Sequence, residues 1–191
     1  MNILMQEGTF YRIVIGCRRK EIHKPAENLI FGGRFTPPEL SNTLYLSSSV
    51  QGCLEEIRFR IGGDLRKVKP LVLGTFQTRF SKILDLTDEA VVKVFLGDNH
   101  SKIFSSNSAN YETTHRLAAA AVKRGFEGIL YHSAVSPEHK NLAVFLDNLG
   151  PNSFIKKISI DKVNIGCQPL SGRSACSRSS ESVWQKVYQV I

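Results

Sequence analysis

Residues 43–60 most limit how this chain can fold, because they predict a strand that runs straight into a helix. The first five, TLYLS, have the β-branched, aromatic and apolar character of a strand. Alternation along a strand places Leu44 and Leu46 on a core face, with Tyr45 and Ser47 on the opposite face. Tyr45 and Ser47 therefore line whatever lies across the sheet, and the serines that follow can cap the helix.

The helix distinguishes two adjacent glutamates. Apolar residues recur at helical spacing and define its buried side: Val50, Cys53, Leu54 and Ile57. At about 100° per residue, Glu55 points nearly opposite that side, toward water, whereas Glu56 lies on its flank, roughly 110° from the centre. A flanking carboxylate can be partly desolvated and aimed at a site. Glu56 is thus the better functional candidate of the two, although its local sequence alone favours a surface acid paired with Arg60.

A glycine-arginine turn precedes this unit. Gly32 and Gly33 permit backbone conformations closed to other residues and let a ligand approach the main chain. Arg34 follows, and its guanidinium offers a planar fork of donors suited to a pyrophosphate. Arg12 interrupts an apolar run at 10–16 that predicts a buried strand. It either snorkels to water at the sheet rim or points into a polar cleft.

The rest of the chain predicts further strands and two helices. The predicted strands are 70–74, 82–86, 128–131, 141–145 and 154–160. One helix begins around residues 87–90, the clearest helix covers 114–124, and 97–112 read as a loop. The strand that contains Tyr131 delivers Ser133 to its end. Residues 1–170 are expected to form one domain, and 171–191, low in apolar residues at their start, a polar linker and tail.

Composition limits the class of protein. At 191 residues with 42% hydrophobic content, the chain suits one well-buried core and is too short for two comfortable domains. No apolar run approaches the roughly 20 residues of a membrane span, and no secretion signal is visible, so a cytoplasmic protein is expected. The four cysteines have neither C-x-x-C nor zinc-ligand spacing, which predicts reduced thiols and no metal site.

The net charge of +8 suits a polyanionic partner. Nucleic acid, a nucleotide pyrophosphate and an acidic protein all fit that description, and charge does not choose among them. The basic clusters are short and lack interleaved aromatic residues, which favours a solvated basic surface over a nucleic-acid groove.

Several motifs in this order resemble one family. They are Tyr-Arg-Ile, Gly-Gly-Arg-Phe-Thr-Pro-Pro, Leu-Tyr-Leu-Ser, Leu-Glu-Glu-Ile, Gly-x-x-Gly-Ile-Leu-Tyr-x-Ser and Asn-Leu-Ala-Val-Phe. Together they resemble the RES-domain proteins over roughly residues 10–160, and the joint pattern is far more specific than any single motif. The resemblance implies an α+β, ADP-ribosyltransferase-like fold, with a central, mostly antiparallel, split β-sheet flanked by helices.

The resemblance also implies a function. RES-domain proteins are mostly toxins of bacterial type II toxin–antitoxin systems that deplete NAD by cleaving its nicotinamide–ribose bond. NAD would then be a substrate rather than a cofactor, and no cofactor is expected. The acceptor is left open between water and inorganic phosphate. The usual partner is an Xre-type antitoxin with a DUF2384 domain. A homodimer is left open, and neither a membrane nor direct nucleic-acid binding is expected.

The family's functional residues carry over by position. The resemblance places catalytic roles on Arg34, Tyr45 and Glu56, and substrate-binding roles on Arg12, Ser47, Tyr131 and Ser133. The chain departs from the family at three positions. Phe35 and Thr36 stand where tryptophan and asparagine are frequent, and His132 where proline is common, which bears on how Ser133 is presented.

Two other functions remain open. A protein ADP-ribosyltransferase would keep the fold and change the acceptor, leaving an ADP-ribose adduct on a protein. A basic nucleic-acid-binding module would bind DNA or RNA with steep salt dependence and leave NAD intact. The sequence has no helix-turn-helix and no aromatic-basic strand pattern, which makes the second alternative the weaker one.

Overall fold

A computed structural model describes residues 3–25, 33–37, 42–65, 70–96, 111–165 and 188–190. The strands of the described residues are β1 Ile3–Ile15, β2 Thr43–Ser47, β3 Leu71–Asp85, β4 Gly128–His132, β5 Lys140–Phe145, β6 Phe154–Ile165 and β7 Tyr188–Val190. The α-helices are α1 Val50–Arg60, α2 Glu89–Leu96 and α3 Tyr111–Lys123, with short 3-10 helices at Gly16–Glu21 and Leu146–Asn148. No helix in these ranges is long and apolar enough to cross a membrane.

The strands form one mixed sheet in the order β1-β2-β5-β4-β3-β6-β7. An additional β1–β3 pairing closes the first five strands into a ring. Pairing is antiparallel throughout except between β3 and β4, which run parallel. One edge of β3 is shared, because residues 71–79 pair with β6 and residues 83–85 with β4. The predicted α+β class and mostly antiparallel sheet are confirmed, whereas the ADP-ribosyltransferase-like likeness stays an expectation.

The longest strand corrects the sequence analysis. Two strands joined by a polar segment were expected at 70–74 and 82–86, yet β3 is a single strand of 15 residues. The intervening segment alternates, with Phe76, Thr78 and Phe80 buried between exposed residues. Alternation of this kind marks a strand with one buried face. The exposed polar residues Gln77, Arg79 and Ser81 therefore lie on the outward face of a strand rather than in a loop.

Packing divides the ring into an inside and an outside. Every strand of the ring contributes side chains to one interior cluster, which includes Phe10, Leu44, Phe76, Leu130 and Leu142. The neighbouring residues of β2, β4 and β5 face outward, where α2 and α3 cover part of them. α1 packs against β1 and β3 through Cys53 and Leu54. The outer face of β2, β5 and β4 is thus bordered by helices, and the candidate site lies there.

Two expectations concern segments that fall largely outside the described residues. The predicted loop at 97–112 is described only from Tyr111, where α3 begins, three residues before the predicted start of that helix. The predicted linker boundary at 170–171 also lies outside the described ranges. Beyond it, Tyr188–Val190 pairs with the end of β6 as a short edge strand.

Candidate functional site

The middle of the site is a row of outward-facing side chains across three strands. Asn141 of β5 is paired with Ser47 of β2 on one side and with Tyr131 of β4 on the other. Two residues further along β5, Ala143 is paired with Tyr45. Residues two apart on a strand share a face. Register alone therefore places two tyrosines, a serine and an asparagine on one surface.

Helix α1 brings Glu56 onto this row. Ser49 begins the helix, and its hydroxyl accepts a hydrogen bond from the Gly52 amide at 2.9 Å. The Glu56 Oε1 atom accepts two hydrogen bonds, from Ser133 Oγ at 2.7 Å and from Asn141 Nδ2 at 2.9 Å. The structure thus joins Glu56 to the predicted Ser133 at the end of β4. Asn141 is a further partner that the sequence analysis did not single out.

Both the proton and the oxygen of the Ser133 hydroxyl form hydrogen bonds within the protein. Its hydroxyl oxygen accepts hydrogen bonds from the backbone amides of Val135 and Ser136, both at 3.2 Å. Its proton is donated to Glu56. His132 Nδ1 donates to the Pro137 carbonyl at 2.7 Å and closes the same loop. Histidine in place of the family's usual proline therefore still holds the loop that presents Ser133.

Tyr45 anchors the turn that carries Arg34. The tyrosine hydroxyl accepts from the Phe35 amide at 3.0 Å and is bonded to Thr36 Oγ1 at 2.6 Å. Burial raises the pKa of Tyr45 to about 12. A Cβ atom on Gly33 would lie 2.5 Å from that hydroxyl, so the turn accommodates only glycine there. A ligand was expected to approach this glycine, but the group that lies against it is the Tyr45 side chain.

Helix α3 holds the other side of this turn. The Arg34 guanidinium lies 5.6 Å from the centre of the Tyr111 ring, within range of a cation–π interaction. His115 Nε2 is bonded to the Gly33 carbonyl at 2.8 Å, which requires the proton on that nitrogen. Neither Tyr111 nor His115 was predicted as a site residue. Tyr111 fell in a segment read as a loop, and a lone helical histidine gives no signal by spacing.

Tyr131 connects the arginine turn to the glutamate. Its ring meets Phe35 edge-on, with centroids 4.6 Å apart. Burial raises the pKa of Tyr131 well above its usual value. The charges of Glu56 and Arg34 act on the same phenol in opposite directions, the glutamate raising its pKa and the arginine lowering it. Arg34, Glu56 and the two tyrosines therefore belong to one electrostatic neighbourhood.

Two predicted site residues lie at the margin. Arg12 donates from Nη1 to the backbone carbonyls of Ile22, at 3.2 Å, and Lys24, and so fixes the turn after the first 3-10 helix. Ser47 is buried beneath α1, where a Cβ on Gly52 would lie 2.7 Å from its hydroxyl. Ser47 thus packs against the helix. Substrate-binding roles for both residues stay predictions.

Glu55 differs from its expected position. It was expected to point to water, but it is half-buried and accepts hydrogen bonds from Ser136 and Gln51. The reason is tertiary: the β4–β5 loop folds over α1. Glu55, Glu138 and His139 also bring one donor atom each within 4.8 Å of one another, a group with the spacing of cation ligands. Sequence spacing did not predict this group, and its carboxylates share the hydroxyl of Ser136.

Comparisons with known proteins agree with this architecture. The family model described as RES domain matches residues 9–160. Among solved structures, the chain is similar to a chain in the crystal structure of the M. tuberculosis MbcT–MbcA toxin–antitoxin complex, with a TM-score of 0.69 and 20% sequence identity. The alignment covers 84% of this chain and 86% of that chain, and at this identity it concerns the fold. No protein of curated function matches the sequence significantly.

Proposed function

Because the chain belongs to the RES domain family, we propose that it is an NAD-degrading toxin of a type II toxin–antitoxin system. The reaction would cleave the bond between nicotinamide and ribose. The observation that carries the proposal is the Glu56 carboxylate, which Ser133 and Asn141 fix at one oxygen and whose charge acts, together with that of Arg34, on the buried Tyr131 phenol.

Glu56 suits the chemistry of that bond. Loss of nicotinamide leaves a ribose with oxocarbenium character, which a nearby negative charge stabilises. Glu56 Oε1 is engaged by two donors, whereas no described residue donates to Oε2. Oε2 can therefore accept a hydrogen bond from the ribose 2-hydroxyl and face the developing cation. This requires neither a covalent nucleophile nor a metal ion.

The remaining residues bind and orient the dinucleotide. Arg34, with its planar donors, would anchor the pyrophosphate or an attacking phosphate ion, and Arg12 would add positive charge. Tyr45 would stack at the nicotinamide-ribose end while its hydroxyl fixes the arginine turn. Tyr131 would border the same end of the substrate. Ser133 would orient ribose or phosphate through Glu56.

Turnover of NAD by the purified chain, free of antitoxin, tests the proposal. NAD consumption is measured with and without inorganic phosphate, and the products distinguish water from phosphate as the acceptor. Glu56→Gln should reduce turnover by about 100-fold or more, as loss of a transition-state charge does. Glu55→Gln is the matched control, with the same change one residue away on α1, and should retain activity. NAD left intact by the folded wild type under both conditions would contradict the proposal.

A second experiment addresses the alternative acceptor. Incubation with NAD and a cell lysate, followed by mass spectrometry, detects ADP-ribose on proteins. An adduct that forms at the rate of NAD loss would identify a protein ADP-ribosyltransferase instead.

We further propose that an Xre-type antitoxin binds the chain and covers the site. Co-expression with the antitoxin encoded beside it should yield a complex that leaves NAD intact.

A further inference from the structure

The site contains one buried polar atom that lacks a partner. Asn141 is 7% exposed. Its amide oxygen, Oδ1, is buried and has no hydrogen-bond partner among the described residues. An unpaired acceptor of this kind is costly, because it has lost its water without gaining a donor. Native structures contain few such atoms, and a ligand-binding site is one place where they are found.

The orientation of the amide follows from its neighbour. Asn141 contacts Glu56 Oε1 at 2.9 Å, and a carboxylate oxygen accepts hydrogen bonds. The atom facing Glu56 must therefore be the amide nitrogen. A flipped amide would place two oxygens against each other. The unpaired atom is thus the oxygen, which needs a donor.

The flanking residues do not supply that donor. Ser47 and Tyr131 are the register partners of Asn141 on the two adjacent strands. The Ser47 hydroxyl contacts the Lys140 carbonyl at 3.5 Å and packs against α1. Ser133 donates its proton to Glu56. Among the described residues, Glu56 Oε1 therefore receives two donors and the adjacent amide oxygen of Asn141 receives none.

We propose that Asn141 is a substrate-binding and positioning residue that accepts a hydrogen bond from a ribose hydroxyl of the substrate through Oδ1 while its Nδ2 holds Glu56. This rests on the proposed NAD cleavage. If Glu56 takes one hydroxyl of the nicotinamide ribose, the neighbouring hydroxyl on the same ring can reach Asn141, since the two side chains are hydrogen-bonded to each other. An amide oxygen also disfavours an anion at that position, so it selects ribose over phosphate.

Variants at position 141 separate the two roles. Asn141→Ala removes both, and kcat/KM for NAD should fall about 10- to 100-fold, as expected for hydrogen bonds that involve a charged group. Asn141→Asp keeps an acceptor but sets a second carboxylate beside Glu56. Two adjacent carboxylates hold a shared proton to higher pH, so the acidic limb of the pH–rate profile should move upward. This shift reports the contact between position 141 and Glu56, whereas the loss of kcat/KM reports the bond to the substrate.

Substrate analogues identify the group that Asn141 binds. With an NAD analogue whose nicotinamide ribose lacks the 3-hydroxyl, Asn141→Ala should cost at most a few-fold relative to wild type, because the partner is already missing. With the analogue that carries a carboxylate in place of the carboxamide, the full penalty should persist. Asn148→Ala is the matched control. It removes a half-buried amide bonded to Val122 and Phe126 outside the site, and should lower stability without changing these ratios.

Two measurements keep this inference distinct from the proposed function. A wild type that leaves NAD intact overturns NAD cleavage. Calorimetric binding of ADP-ribose to the wild type and to Asn141→Ala then decides the inference separately, with weaker binding by the variant expected by about tenfold or more. Equal binding of ADP-ribose, or a penalty that disappears only with the carboxylate analogue, would overturn the assignment of Asn141 to a ribose hydroxyl. An unchanged pH profile for Asn141→Asp would overturn its positioning of Glu56.

Discussion

Gly33→Ala should disturb the site through a contact that only glycine permits. The new Cβ would lie 2.5 Å from the Tyr45 hydroxyl, 2.8 Å from Cζ and 2.9 Å from Cε2. Carbon atoms in contact normally stay about 3.5–4.0 Å apart, so the overlap is roughly 1 Å. The tyrosine cannot yield freely, because its hydroxyl holds the Phe35 amide and Thr36.

The expected cost is the same by either route of relaxation. Retaining the contact overpacks the turn, which costs about 1–3 kcal/mol. Displacing the ring breaks the two hydrogen bonds of the Tyr45 hydroxyl, at about 1 kcal/mol each. For a chain of this length, each kcal/mol lowers Tm by about 2–4 °C. NAD turnover should fall by more than the loss of folded protein explains, because the displaced turn carries Arg34.

Thermal unfolding by circular dichroism and an NAD-turnover assay measure the two effects. Gly8→Ala is the matched control, because a Cβ there would meet only the Gln6 side chain, at 3.8 Å. Adding Tyr45→Phe to Gly33→Ala should restore little, since the ring carbons still overlap the new methyl group. If Gly33→Ala behaves like Gly8→Ala in Tm and turnover, then Tyr45 does not fix the Arg34 turn and the reasoning is refuted.

Two further predictions concern stability. Glu127 is 3% exposed and accepts hydrogen bonds from the Ser81 amide at 2.8 Å, the Gly150 amide at 3.0 Å and the Ser153 hydroxyl at 2.8 Å. Glu127→Gln should leave one of these donors unpaired and lower the unfolding free energy, measured with urea, by about 1–3 kcal/mol. NAD turnover at low temperature should not change. Since burial raises the pKa of Tyr45 from 10.0 to about 12, its contribution of at most about 3 kcal/mol is present below pH 10 and lost as pH rises to 12. Urea titrations at pH 9 and 11.5 should show a smaller decrease for Tyr45→Phe, and an equal decrease would count against the shift.

The local units of the fold were predictable from sequence. The strand 43–47 has the predicted bounds, and α1 begins after the predicted Ser49 cap. These features depend on neighbours within a few residues, which alternation, periodicity and capping describe. The same local rules placed Glu56 at the flank of α1, where the structure has it bonded to the end of β4.

Features that depend on distant pairing were not predictable. Glu55 was expected in water, and only the fold of the β4–β5 loop brings Ser136 against it. The segment 75–81 within β3 is a partial exception: β1 and β6 pair along it on both sides, but the alternation of Phe76, Thr78 and Phe80 is already present in the sequence. Tyr111 and His115 reach the arginine turn from a distant helix, and His115 lies 82 residues after Gly33 in the sequence. Helical or strand periodicity contains no information about such contacts.

The hydrogen bonds of the two adjacent glutamates differ in a way that supports the role proposed for Glu56. Both are half-buried, so burial does not separate them. Glu55 shares the Ser136 hydroxyl with Glu138 and is bonded to Gln51 through its other oxygen, so both of its oxygens are engaged within the protein. In the part of the chain that the structure describes, Glu56 receives donors at Oε1 alone. A carboxylate that is fixed at one oxygen and open at the other is positioned before the substrate arrives, which is what stabilising a short-lived positive charge requires.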